Sequence, residues 1–190
     1  MAAARNFLEP SRINYRTLSE ALDYYERLGY SYKEVPWVVS RQATAVTLPI
    51  DRKATSVDYG DLVGSAEQSF IELLMRGEKI RKACAITPCF RDEGEFDELH
   101  HAYFMKLELI NTNATLENLH QMIQDALGFF AGYIEAVVIK TGPNMFDIID
   151  KKQGIELGSY GFRTFDNHTL IYGTGVALPR LDTANAKAHN

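Results

Sequence analysis

The 190-residue chain predicts an α+β fold, an antiparallel β-sheet flanked by helices. Two observations near the C-terminus and one in the middle point that way. Alternating segments at 154–163 and 170–176 follow one another with no helix between them, and such neighbours pair antiparallel. A second pair, 86–93 and 103–109, is joined by a short charged loop, as a hairpin is. The helical patterns do not alternate regularly with strands, so a doubly wound parallel sheet is disfavoured, and the coarse order is α-β-α-β-β-α-β-β-β. No repeat, linker or low-complexity stretch divides residues 1–190, which read as one domain.

Residues 1–16 are a loose lead-in. Thr17 to Glu20 has capping-box spacing and opens a helix with Leu18, Ala21, Leu22, Tyr25 and Leu28 as its apolar stripe, stopped by Gly29. Tyr30–Ser40 is extended but contains Pro36, which cannot donate to a ladder and marks an edge or an end. This aromatic helix and proline-bearing strand are either plain packing or a surface for a second subunit. Val46–Ile50 is a short apolar segment, and 51–61 a polar loop. Ser65 to Gln68 repeats the capping-box spacing before the stripe Phe70, Leu73, Leu74 and the stop at Gly77. Glu67 in that first turn either complements the helix dipole or accepts a substrate ammonium group.

Thr115 to about Val138 reads as the longest helix, with Leu116, Leu119, Ile123, Ala126, Leu127 and Phe130 inward and His120 on the surface. Gly142 to Asn144 breaks the chain before a brief strand, Met145–Ile149. In 154–163, Glu156 is a lone carboxylate between glycines. Either a metal ion or polyphosphate approaches there, or the strand simply lies close to another backbone. In 170–176, Gly173 and Gly175 share a face and leave it flat. Pro179 suits the first position of a last helix, placing Arg180 at an N-terminus that favours anions.

The hairpin 86–110 concentrates chemistry. Its outgoing strand puts Arg91 and Glu93 on one face, and its loop carries Glu95, Asp97, Glu98, His100 and His101. The return strand sends Phe104, Lys106 and Glu108 one way and Tyr103, Met105, Leu107 and Leu109 the other. A guanidinium, carboxylates and a phenyl ring on one face suit a flat anionic ligand: phosphate oxygens, an exocyclic amine and a base to stack. The same row also reads as a solvated face or a cross-strand ion-pair ladder.

A formal net charge of −5 argues against indiscriminate nucleic-acid binding through a basic surface, and leaves room for a specific RNA on a local patch. No run reaches the ~18 apolar residues of a membrane span. The start Met1 to Phe7 lacks an apolar secretory core, so the expectation is a cytoplasmic protein without a membrane partner. Cys84 and Cys89 are an odd number of residues apart, on opposite faces of a strand. They are expected to be buried free thiols, not a bridge or a metal pair.

These features, in this order, resemble the catalytic core of class II aminoacyl-tRNA synthetases across about Thr17 to Leu181. Gly29 and Tyr30 through Val35 and Pro36 are similar to motif 1. Phe90 to Glu93, with Phe104 and Glu108, is similar to motif 2, and Gly173 to Arg180 to motif 3, with Ala177 and Pro179 as departures. The resemblance implies ATP-dependent activation of an amino acid to an aminoacyl-adenylate with release of pyrophosphate, then transfer to tRNA or another acceptor such as a carrier protein or small amine. It implies that Arg91 and Arg180 are catalytic, Arg91 on the α-phosphate and Arg180 over the base and at the γ-phosphate. By the same resemblance Glu93 reads the adenine amino group, Phe104 lies under the base, and Gly173 and Gly175 supply a flat floor. His100 or His101 meets the γ-phosphate, Glu156 and Ser159 hold Mg2+, and Glu67 takes the α-ammonium group. A homodimer through residues 17–40 is implied too, while no stretch remains for an anticodon-binding domain. The alternative is a catalytically silent paralogue that binds nucleotide or amino acid and regulates a partner. A third possibility is an interaction domain whose charged hairpin is merely solvated.

Overall fold

The structure, a computed structural model, describes residues 12–49, 52–91 and 97–189. Helix α1 (Tyr15–Arg27) starts ahead of Thr17 because the Asn14 side chain caps it, accepting from the Thr17 amide at 3.3 Å. Thr17 is therefore a buried first-turn residue and not the cap. Gly29, with a left-handed φ of +83°, turns the chain out of the helix. The expected strand 30–40 is two strands, β1 (Ser31–Tyr32) and β2 (Val38–Val39), divided around Pro36 and assigned to different sheets. Val46, in the segment read only as short and apolar, belongs to α2 (Arg41–Thr47), which Ser40 caps by accepting from the Ala43 amide at 3.2 Å. The stretch read as a polar loop contains a hairpin, β3 (Thr55–Val57) and β4 (Gly60–Leu62).

Helix α3 (Ala66–Met75) follows its expected Ser65 cap. Then β5 (Lys82–Phe90) and β6 (Tyr103–Asn111) form the anticipated hairpin, with Thr87 opposite Lys106 and Cys89 opposite Phe104. Helix α4 (Leu116–Phe130) ends at Phe130 and not near Val138. The β-branched run Val137, Val138, Ile139 prefers an extended backbone and forms β7 (Ala136–Gly142). The chain closes with β8 (Met145–Asp150), β9 (Glu156–Phe165), β10 (His168–Leu178) and α5 (Arg180–His189). Pro179 precedes this last helix and accepts the Thr183 amide at 2.9 Å, so Arg180 is its first residue.

Seven strands form one sheet in the order β1-β5-β6-β10-β9-β8-β7, and β2-β4-β3 form a small one. All pairings in the large sheet are antiparallel except β1 with β5. One face is covered by α1, α4 and α5 over a core that includes Tyr25, Leu107, Leu109, Phe130, Tyr160 and Val176. A second core, with Phe70, Ile71, Ala85, Ile110 and Leu170, joins α3 to part of the other face. The rest of that face floors a cleft. Cys84 and Cys89 are buried free thiols, and burial pushes each up to about 12, too high for thiolate chemistry at neutral pH. Among the described residues, no helix is long and apolar enough to cross a membrane.

Candidate active site

The alternation of β6 decides what lines the cleft. Leu107 and Leu109 enter the helix-side core, so Lys106 and Glu108 must point to the open face. The cleft has a volume of about 390 Å³. Arg52, Lys53, Arg91, Lys106 and Arg163 border it against Glu67, Glu108 and Glu156, a local cationic surplus in a chain of net charge −5. Such a surplus attracts an anionic ligand.

Glu108 fixes the helix that carries Glu67. Its carboxylate accepts the Ser65 hydroxyl at 2.8 and 3.0 Å, the Ala66 amide, and the Lys106 ammonium at 2.7 Å. A carboxylate against the first free amides of α3 also complements the helix dipole. Glu67 is thereby held at the cleft wall, where its Oε1 accepts from Arg163 Nε at 2.8 Å. Burial raises the Glu67 pKa and Arg163 draws it partly back, while the Glu108 charge adds to the rise. Arg163 in turn lies over the Tyr172 ring, 5.1 Å from its centre. These residues form the inner end.

The outer end gathers the hairpin and the last two strands. Arg91 continues the face of Cys89 beyond β5, donates from Nε to the Gly64 carbonyl at 3.2 Å, and lies 5.2 Å from the centre of the Phe104 ring. Glu156 and Ser159, an odd distance apart, would take opposite faces in a regular strand. A bulge prevents that: Ile148 pairs with Gly158 but Ile149 with Glu156, so Leu157 is the extra residue and both polar side chains reach the cleft. Glu156 is paired with Arg180 Nη1 at 3.3 Å, and Ser159 donates to Asp147 Oδ1 at 2.6 Å. Burial raises the Asp147 pKa; the Ser159 hydrogen bond opposes this, and the Glu156 charge adds to it.

Several expected site residues lie elsewhere. A Cβ at Gly173 would sit 2.6 Å from Met122 Sδ and from Tyr160 Cδ1, and one at Gly175 would sit 2.5 Å from Leu107 Cδ2. Both glycines therefore flatten the helix-facing side of β10, and Tyr172 and Thr174 line the cleft instead. His100 is exposed and bonded through Nδ1 to Asp97 at 2.9 Å. His101 is buried against Pro179, Asp182 and Thr183 in a separate cavity beside α5. Neither histidine lines the cleft. Glu93 lies outside the described residues.

Arg163 and Tyr172 escaped the sequence analysis, although the alternation of β9 from Ser159 through Gly161 to Arg163 placed Arg163 on the Ser159 face. Among the described residues no group of three or more His, Cys, Asp or Glu side chains could hold a metal ion. Glu156, Ser159 and Asp147 offer a hard oxygen edge, sufficient for a Mg2+ that takes most of its ligands from phosphates and water.

The sheet and its helices have the fold of class II aminoacyl-tRNA synthetase catalytic domains. Pyrrolysyl-tRNA synthetase of Desulfitobacterium hafniense superposes with a TM-score of 0.71 at 18% identity, over 93% of this chain and 70% of that one. Seryl-tRNA synthetase from Pyrococcus horikoshii, complexed with ATP, gives 0.72 at 19% identity, covering 89% of this chain and 49% of that one. The cytoplasmic serine–tRNA ligase of Naegleria fowleri, in complex with AMP, gives 0.69 at 16% identity, over 92% and 48%. The chain thus spans about half the length of these two seryl enzymes. No family model matches the sequence, and no curated protein does.

Proposed function

We propose that the protein activates an amino acid with ATP, forming an aminoacyl-adenylate and releasing pyrophosphate. The observation that carries this reading is a single cleft with two chemically distinct ends. Arg91 with Phe104, and Glu156 with Arg180, make an end suited to a nucleotide polyphosphate. Glu67 on the wall of the other end suits an ammonium group. Folds of the same kind complexed with ATP and with AMP support nucleotide binding.

In the step proposed, a carboxylate oxygen of the amino acid attacks the α-phosphorus in line and the bond to the bridging oxygen of pyrophosphate breaks. Arg91 stabilises the charge that builds on the α-phosphate, and Arg180 exchanges Glu156 for the γ-phosphate. Glu156 and Ser159, backed by Asp147, would hold Mg2+, which supplies charge neutralisation on the phosphates when bound. No protein nucleophile is required, because positioning supplies the rate. The acyl acceptor, tRNA or another nucleophile, belongs to the same proposal. So does a homodimer through residues 17–40, favoured by the place of β1 at the edge of the large sheet and by Tyr32, 41% exposed there; light scattering tests it.

The activity is tested by Mg2+-dependent ATP–pyrophosphate exchange with each proteinogenic amino acid. Exchange with one of them, lost in Arg91→Ala, is the expected result. Absence of exchange together with ATP-induced thermal stabilisation would favour the silent paralogue. Absence of both would overturn nucleotide binding itself.

A further inference from the structure

We infer that the amino acid taken by this cleft has a short side chain ending in oxygen (a hydroxyl, carboxamide or carboxylate), read by Arg163 and Tyr172. The inference rests on the adenylate-forming reading above and asks which acyl donor fits it. Length is set by Tyr172. It pairs across β9 with Gly161, and a Cβ at Gly161 would lie 2.9 Å from the Tyr172 hydroxyl and 3.2 Å from Cζ. The ring therefore lies down on the bare β9 backbone and fills depth that a long side chain would need. The Glu67–Arg163 pair closes the inner end behind it.

Chemistry is set by which polar groups remain available. Gln68 is spent on both sides, donating to Thr47 Oγ1 at 2.9 Å and accepting from the Gly64 amide at 2.8 Å. Lys106 and Glu108 are bonded to each other, and Ser159 donates to Asp147. Arg163 uses only Nε toward Glu67, and its side chain is 31% exposed. No described residue hydrogen-bonds its Nη groups or the Tyr172 hydroxyl. These donors line the inner cleft, and an apolar side chain packed against them would strip their water without replacing it. A cationic side chain would bring a third positive charge beside Arg163 and the α-ammonium, with Glu67 as the near carboxylate. An oxygen acceptor satisfies both constraints.

The test uses non-hydrolysable aminoacyl-sulfamoyl adenosines, read by thermal shift and calorimetry, so that binding is measured without turnover. The seryl, threonyl, asparaginyl and aspartyl compounds are expected to bind at least ~100-fold tighter than the valyl, leucyl, phenylalanyl and lysyl ones. Comparison within the first set tells hydroxyl, carboxamide and carboxylate apart. Tyr172→Phe keeps the ring and should shrink the preference. Arg163→Lys keeps a partner for Glu67 and should shrink it too. Tightest binding of an apolar, long or cationic member, or a preference unchanged in both variants, overturns the inference. Binding of none of the compounds nor of ATP instead removes the adenylate-forming reading on which it stands.

Discussion

Replacing Glu108 with alanine should destabilise the fold far more than removal of an ordinary surface carboxylate. The side chain is 8% exposed and accepts from Ser65, Ala66 and Lys106 at once. Its loss leaves the Lys106 ammonium, 11% exposed, without its partner, and breaking a buried pair from one side costs about 3–5 kcal/mol. Loss of the anion at the start of α3 adds roughly 0.3–1 kcal/mol. In a chain of this size each kcal/mol moves the midpoint by about 2–4 °C, so the thermal midpoint should fall by roughly 7–24 °C. Most of the cost is the orphaned charge, so Lys106→Met in the Glu108→Ala background should restore about 2 kcal/mol or more. Urea unfolding followed by circular dichroism measures both variants. A loss under about 1 kcal/mol for Glu108→Ala, or no recovery in the double variant, would refute the argument that this carboxylate anchors α3.

Gly173→Ala sets a methyl against Met122 and Tyr160 and should cost about 1–3 kcal/mol while leaving ATP-induced stabilisation intact; lost ATP binding at full stability would return this glycine to the cleft. Glu156 is 48% exposed, so Glu156→Gln should change stability by under about 1 kcal/mol yet slow pyrophosphate exchange by ~100-fold or more, and unchanged exchange would remove it from the phosphate site. Burial raises the Glu67 pKa, so the KM for the amino acid should rise as pH falls through a value above 4.5, and Glu67→Gln should abolish that limb. The folded state holds this proton more tightly than the unfolded chain, so the same protonation favours folding, and lost binding cannot be blamed on acid unfolding through Glu67. The Leu99 amide, with the His100 ring and amide, holds Asp97 down to about 2; its stabilisation of that turn, full above the ordinary carboxylate value, should be lost only as pH falls through about 2, as an NMR titration of its carboxyl would report.

Much of the sheet was legible because the hydrophobic period states it directly. Leu107 and Leu109 against Lys106 and Glu108 fix the faces of β6, and the hairpin partner follows from the short charged loop. The losses have local causes. Asn14 outcompeted Thr17 as the cap of α1, and a capping-box spacing alone does not rank two polar residues three apart. The largely apolar run from Leu127 to Ile139, interrupted by Glu135, hid the end of α4, since a buried helix and a strand look alike without clear periodicity. Splitting 30–40 between two sheets depends on Val63 and Lys33, whose amides bond to Trp37 and Cys84 from distant parts of the chain.

The site was legible in its residue types and less so in its faces, and one geometric fact explains both outcomes. Side-chain direction along a strand has period two, so any bulge reverses every assignment beyond it. In β9 the reversal at Leu157 brings Glu156 onto the face of Ser159, which simple alternation forbids. In β10 a second irregularity falls between Thr174 and Val176, around Gly175, after Gly173 has already turned toward Met122. The glycines expected to flatten a nucleotide floor instead let α4 and Tyr25 approach the sheet. Arg163 and Tyr172, which have no place in the motif-like pattern, are left to shape the inner cleft. The two strands that carry Glu156 and Tyr172 are therefore positioned by their departures from regular pairing, and the chemistry of the cleft depends on them.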